Sequence, residues 1–176
     1  MCRPASFIAT KGKIWWSKKT DSHEEIINEF KLHQDGALGP NIVRLEIVPP
    51  NEHDFDKPLN EWVYKVDQDL IPEWYDAVKY EKSARKALKD WAKAKLILPG
   101  DKIAEFKEGW AILCGGTISA VWGGTISEVC GGTISAVRGG TIICYKTFDP
   151  AKLTSSHAAM IDRSVTPIKC YVGNDK

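Results

Sequence analysis

Residues 115–144 read GGTISAVW, GGTISEVC, GGTISAVR and GGTIICYK, three near-identical octapeptides followed by a fourth that drifts after Ile142. A fixed short period with Gly, Thr and Ile at constant positions marks a repeat architecture, in which each unit buries its apolar face only against its neighbours. Eight residues are too few for a helical hairpin. The Thr-Ile-Ser-Ala-Val core has strand propensity, and Gly-Gly supplies a corner open to positive φ. The pattern predicts a β-solenoid in which two octads make one coil of about sixteen residues and coils stack about 4.8 Å apart. Lys107–Cys114 (KEGWAILC) reads as a degenerate leading copy. Four or five octads make roughly two to two and a half coils, a stack about 10–12 Å tall. A meander of antiparallel strands with Gly-Gly turns is the alternative.

In a solenoid, residues sixteen apart form columns. The eighth octad position holds Cys114, Trp122, Cys130 and Arg138. Cys114 then lies over Cys130, with the geometry of a disulfide but as free thiols in a reducing compartment, and Trp122 over Arg138 makes a cation–π contact. Ile and Val lie three apart within an octad, so strict alternation is broken and a bend or bulge falls between them; the inward-facing set stays open. So short a stack has ends, and an uncovered end invites pairing with another copy. Ile118, Ile126, Ile134, Trp122 and Arg138 are the assembly candidates, and a strand at Thr166–Val172 is a candidate cap. No repeat position carries a recurring acid, which argues against calcium binding.

Before the repeat, Ser6–Thr10 and Ile14–Ser17 read as a hairpin turned at Lys11-Gly12-Lys13. Ser22 with Glu25 forms a capping box ahead of Ile26, Ile27, Phe30 and Leu32, a helix ended by Gly36 and Gly39-Pro40. Asn41–Val48 alternates as a half-buried strand, and Glu61–Val66 forms another with Trp62, Tyr64 and Val66 on one face. A helix follows from about Glu73 to Leu96, with Tyr80, Ala84, Ala87, Leu88 and Trp91 as its apolar stripe. The expected organisation is an α+β N-terminal domain over residues 1–106, a β-solenoid over 107–146, and a closing segment over 147–176.

The 176 residues carry 24 basic and 23 acidic side chains, a net charge of +1. That excludes a nucleic-acid binder driven by overall charge. The balance is split, however: Ala77–Lys95 holds seven basic residues against two acids, and Asn51–Asp76 holds eight acids against two lysines. Lys79, Lys82, Lys86, Lys89 and Lys93 form a second helical stripe, read first as a solvated face. With Trp74 and Tyr75, the stripe Lys79, Lys82, Lys86 and Lys89 is also a candidate surface for a small anionic ligand such as a nucleotide.

No apolar run is long enough to span a membrane. Five scattered cysteines and no secretory signal at the start point to a cytoplasmic protein with reduced thiols. His23, His33, His53 and His157 share no metal-ligand spacing with those cysteines, so neither a metal nor a cofactor is expected.

Cys2 follows Met1, and after removal of Met1 it would carry both a thiol and its own α-amine as base. Cys2, the turn at Lys11-Gly12, Lys18 and Asp21 give the opening a resemblance to the choloylglycine-hydrolase group of N-terminal nucleophile amidases. The resemblance implies Cys2 as nucleophile, with Lys18 (where the family has Arg) and Asp21 orienting it and His23 nearby. Asp21-Ser22-His23 has the composition of a miniature triad, but adjacent residues in a helix cap seldom converge, and capping is the preferred reading.

A second resemblance rests on Cys2-Arg3-Pro4, on Trp16-Ser17 through Asp21-Ser22-His23-Glu24, and on Trp62–Asp69 with Pro72-Glu73-Trp74-Tyr75. On these residues the chain is similar to a group of phage and bacterial proteins with variable numbers of C-terminal octapeptide-like repeats. That likeness implies the architecture and supplies no site. The expected function is a non-catalytic binding or assembly protein, homo-oligomeric through its repeat or bound to a protein partner. A Cys2 amidohydrolase and a nucleotide-sequestering protein are the alternatives.

Overall fold

The computed structural model describes residues 4–33, 35–36, 39–145 and 148–175. It is mostly β, with a solenoid of about four turns in residues 96–162 and two helices. The described residues fall into two compact units, one of residues 1–50 and 57–93, the other of residues 51–56 and 94–176.

In the first unit, β1 (Ser6–Thr10) pairs with β2 (Lys13–Trp15) as the expected hairpin, with Gly12 in the left-handed region at φ 91. α1 (His23–Glu29) begins at Ser22, whose hydroxyl accepts from the Glu25 backbone N–H at 3.4 Å, so the capping reading of Asp21-Ser22-His23 holds. The helix stops sooner than its apolar pattern suggests, and Lys31 turns left-handed at φ 51. Ile26 and Ile27 pack with Ile8 and Ile42. The two-residue strands β3 (Asp35–Gly36) and β4 (Gly39–Pro40) form a tiny hairpin where the sequence signals a stop.

β5 (Val43–Val48) lies between β1 and β6 (Val63–Val66), giving an antiparallel sheet in the order β2-β1-β5-β6. Inside α2 (Ala77–Lys95), Tyr80, Ala84, Leu88 and Trp91 are buried, and Asp76 caps the start by accepting from the Lys79 backbone N–H at 3.0 Å. No helix among the described residues is long and apolar enough to cross a membrane.

The second unit is the coil. Its strands are β7 (Leu96–Ile97), β8 (Lys102–Phe106), β9 (Trp110–Val121), β10 (Thr125–Val137), β11 (Gly140–Cys144), β12 (Ala158–Asp162) and β13 (Lys169–Val172). β7 and β8 both pair with β9, β9 with β10, β10 with β11 and β11 with β12, every pair parallel. Parallel pairing overturns the meander alternative, because tight Gly-Gly turns join only antiparallel neighbours.

The sixteen-residue offset holds inside the repeat, where Thr133 pairs with Thr117 and Ile134 with Ile118. Stacking produces continuous core columns. Ile97, Leu113, Val129 and Cys144 form one, and Ala111, Ile126, Ile142 and Met160 another. Ile103, Ile118 and Ile134 form a third, and Phe106, Val121, Val137 and Leu153 a fourth. Both Ile and Val therefore point inward, and the register shifts around Glu128 and Gly131 absorb the broken alternation. The stack is taller than the octads alone would make it. Residues 96–106 and 148–162 carry no repeat motif, yet they complete further turns by adding apolar side chains to the same columns. β13 then runs antiparallel to β12 and ends the parallel series.

Candidate functional site

The octad 123–130 departs from its neighbours at two positions: Glu128 stands where the flanking octads have Ala120 and Ala136, and Cys130 where they have Trp122 and Arg138. Both departures meet at one place. The Cys130 thiol donates to Glu128 Oε1 at 3.2 Å, and His53 Nδ1 reaches the same oxygen at 2.6 Å. His53 comes from the loop that belongs to this unit, and it stacks on Tyr145 with ring centroids 4.0 Å apart. Arg163 Nη1 in turn donates to the Tyr145 hydroxyl at 3.1 Å. His53 sits at φ 74, a left-handed conformation that costs a non-glycine residue on the order of 1 kcal/mol and persists only where contacts over-determine it. The carboxylate and the stacked phenol ring supply those contacts.

The electrostatics of this cluster oppose nucleophilic chemistry. Burial raises the Glu128 carboxyl above its ordinary range, against the lowering pull of the Cys130 thiol and of His53. The Cys130 thiol is pushed far up, first by its hydrogen bond with Cys114, then by burial and the Glu128 charge. Cys144 is pushed up to about 12 by burial, with Asp162 adding to it. A reactive cysteine needs a thiolate and a base in contact with it. Here the carboxylate lies between thiol and imidazole, so the cluster works as a latch that fastens the 51–56 loop to the coil. A register shift pairs Cys114 with Gly131 instead of Cys130, yet the Cys114 and Cys130 thiols are still in contact, and both are free.

The remaining columns behave as the spacing predicts. The Arg138 guanidinium lies 4.8 Å from the centre of the Trp122 ring. Ile118, Ile126 and Ile134 are buried in the coil interior, where they hold the stack together and present nothing to a partner.

The amidase constellation is not gathered among the described residues. Cys2 lies outside them, and the Lys18 side chain is exposed. Asp21 Oδ1 accepts from the Trp91 indole at 2.9 Å, with the Ser6 backbone N–H at 3.5 Å. His23 Nε2 is bound to the Leu45 carbonyl at 3.0 Å, and its Nδ1 lies 3.4 Å from Asp67 Oδ2.

The proposed ligand residues are likewise spread out. Lys79, Lys82, Lys86, Lys89 and Lys93 are exposed along α2. At about 1.5 Å per residue, Lys79 to Lys89 span roughly 15 Å of helix. Trp74 and Tyr75 pack instead on Tyr80, with ring centroids 5.5 and 5.1 Å away, and Tyr75 shares a short hydroxyl contact with Tyr64. Burial raises both Tyr64 and Tyr75 above the ordinary phenol range.

The sequence reading passed over His53, Glu128 and Tyr145, although Glu128 was announced by being the exception in its repeat. It also passed over Glu46 and Asp67, which join His23 as a set with one potential ligand atom each, all within 4.8 Å of one another. A histidine and two carboxylates on three separate elements have no linear spacing to detect. No family model matches the chain, and no curated protein or solved structure shows significant similarity to it.

Proposed function

We propose that the chain is a non-catalytic assembly protein, an α+β N-terminal domain carried by a β-solenoid whose last strand pairs with the same strand of a second copy. The observation supporting this is the outer edge of β13. Within its unit, β13 has a neighbour on one side only, β12. Gly173 donates inward to the Ala158 carbonyl at 2.9 Å. Antiparallel strands alternate, so Tyr171 and Lys169 also face β12, while Cys170 and Val172 direct their backbone groups outward. Apolar side chains accompany that edge, Ile168 at 57% exposure and Val172 at 67%. At the opposite end both β7 and β8 pair with β9, and β8 presents Lys102 and Glu105 to solvent, the charged arrangement that discourages strand addition.

An antiparallel β13–β13 pair obeys a twofold axis and closes as a dimer, without propagating into a filament. Light scattering tests it. Wild type should run as a dimer, and the double variant Ile168→Lys with Val172→Lys as a monomer with unchanged circular dichroism. A short bis-maleimide should also join two chains through the exposed Cys170. A wild-type monomer, or a dimer that survives the double variant, refutes the reading. Replacing Ile126 or Ile134 by a charge would test folding of the coil and not assembly, because both side chains lie in the core columns.

A further inference from the structure

We propose that His23, Glu46 and Asp67 bind a divalent transition-metal ion. The three come from the first residue of α1, the middle of β5 and the segment after β6, all within the first unit. His23 is 2% exposed and Glu46 is 8% exposed, whereas the Asp67 side chain is 52% exposed. Two ligands are thus buried, and the third opens to solvent and gives an ion its way in. The Asp67 backbone N–H donates to the Arg44 carbonyl at 2.8 Å, which ties the aspartate to β5 beside Glu46. Arg44 directs its own guanidinium to Glu24 at 2.7 Å.

The tautomer of His23 follows from its partner. A backbone carbonyl only accepts, so Nε2 carries the proton that points to Leu45 O. The other ring nitrogen, Nδ1, lies 3.4 Å from Asp67 Oδ2. A charged N–H···O bond measures about 2.7–2.9 Å, and this separation is 3.4 Å. Two ligands held about 2.1 Å from one ion at a tetrahedral angle lie roughly 3.4 Å apart. A carbonyl accepting the far N–H of a ligating imidazole is also the usual second layer of a metal centre, fixing ring orientation and basicity.

One imidazole and two carboxylates suit Zn²⁺, Co²⁺, Fe²⁺ or Mn²⁺, while calcium asks for six to eight oxygens. Three protein ligands leave a position for water on the solvent side.

Cobalt is the probe, because its visible spectrum separates nitrogen and oxygen ligands from the chain's thiols. The full-length protein titrated with Co²⁺ should bind one ion and show d–d bands without a sulfur charge-transfer band. Asp67→Asn, at an exposed position that leaves the fold intact, and His23→Gln should each bind at least about 100-fold more weakly, beyond the range of outer-layer changes. Calcium in excess should not compete. The proposal is overturned by any of three results: no saturable binding, a thiolate charge-transfer band, or Asp67→Asn with wild-type affinity at unchanged circular dichroism.

Discussion

Two neighbouring glycines that the repeat presents as equivalent should respond oppositely to alanine. Gly132 adopts φ 89, and a Cβ built there would lie 2.4 Å from the Gly116 carbonyl oxygen of the adjacent coil. Gly131 has no such conformation, and its nearest neighbour would be the Cys114 carbonyl oxygen at an ordinary 3.5 Å. For Gly132→Ala the left-handed backbone costs about 1–2 kcal/mol. Moving a ladder carbonyl out of the way adds about 1–3 kcal/mol, the usual cost of overpacking. A total near 3 kcal/mol lowers the midpoint of a chain this size by roughly 6–12 °C. Gly131→Ala meets no obstacle and restricts the unfolded chain, which is worth about 0.4–1 kcal/mol of added stability. Thermal unfolding followed by circular dichroism at the β-sheet band measures both. If the two variants melt within about 2 °C of each other, a difference of about 0.5–1 kcal/mol, the assignment of this corner to Gly132 is wrong.

Glu128 should make stability depend on pH. Its folded value lies above the ordinary 4.5, so between 4.5 and the raised value the folded state holds more protons than the unfolded one, and stability falls as pH rises. Glu128→Gln removes that loss: its melting temperature should exceed wild type at neutral pH and converge with it below pH about 4.5, near the ordinary glutamate value. A constant offset across that range would refute burial as the dominant cause. Alkylation of the native protein should mark Cys170, which is exposed, and spare Cys114, Cys130 and Cys144, which are buried. Peptide mapping that finds Cys130 labelled as fast as Cys170 would show that the latch does not hold its thiol protonated.

The coil was legible in the sequence to the level of individual pairs. Trp122 over Arg138 followed from the offset of sixteen, because an exact repeat forces equivalent residues into equivalent places, whereas a register shift sets Cys114 opposite Gly131. The helix caps at Ser22 and the apolar stripe of α2 were legible for a similar reason: both are local chemistry with a short reach along the chain. Flanking turns of the coil were not, since Ile103, Leu153 and Met160 join the columns by fitting them and not by resembling an octad.

The sequence by itself determined the period and the sixteen-residue offset that brings Trp122 to Arg138, while parallel pairing and the full set of core columns came from the structure. The tertiary structure alone decided that Gly132 must remain glycine while Gly131 has room for a side chain, what the exceptional Glu128 is for, and that His23, Glu46 and Asp67 converge. The division follows the range of the forces involved. Backbone geometry and apolar periodicity act between residues a fixed distance apart in the chain. Steric contact, hydrogen bonding and ligand geometry act between whatever groups folding brings within a few ångströms, and for His53 and Glu128 those groups are 75 residues apart.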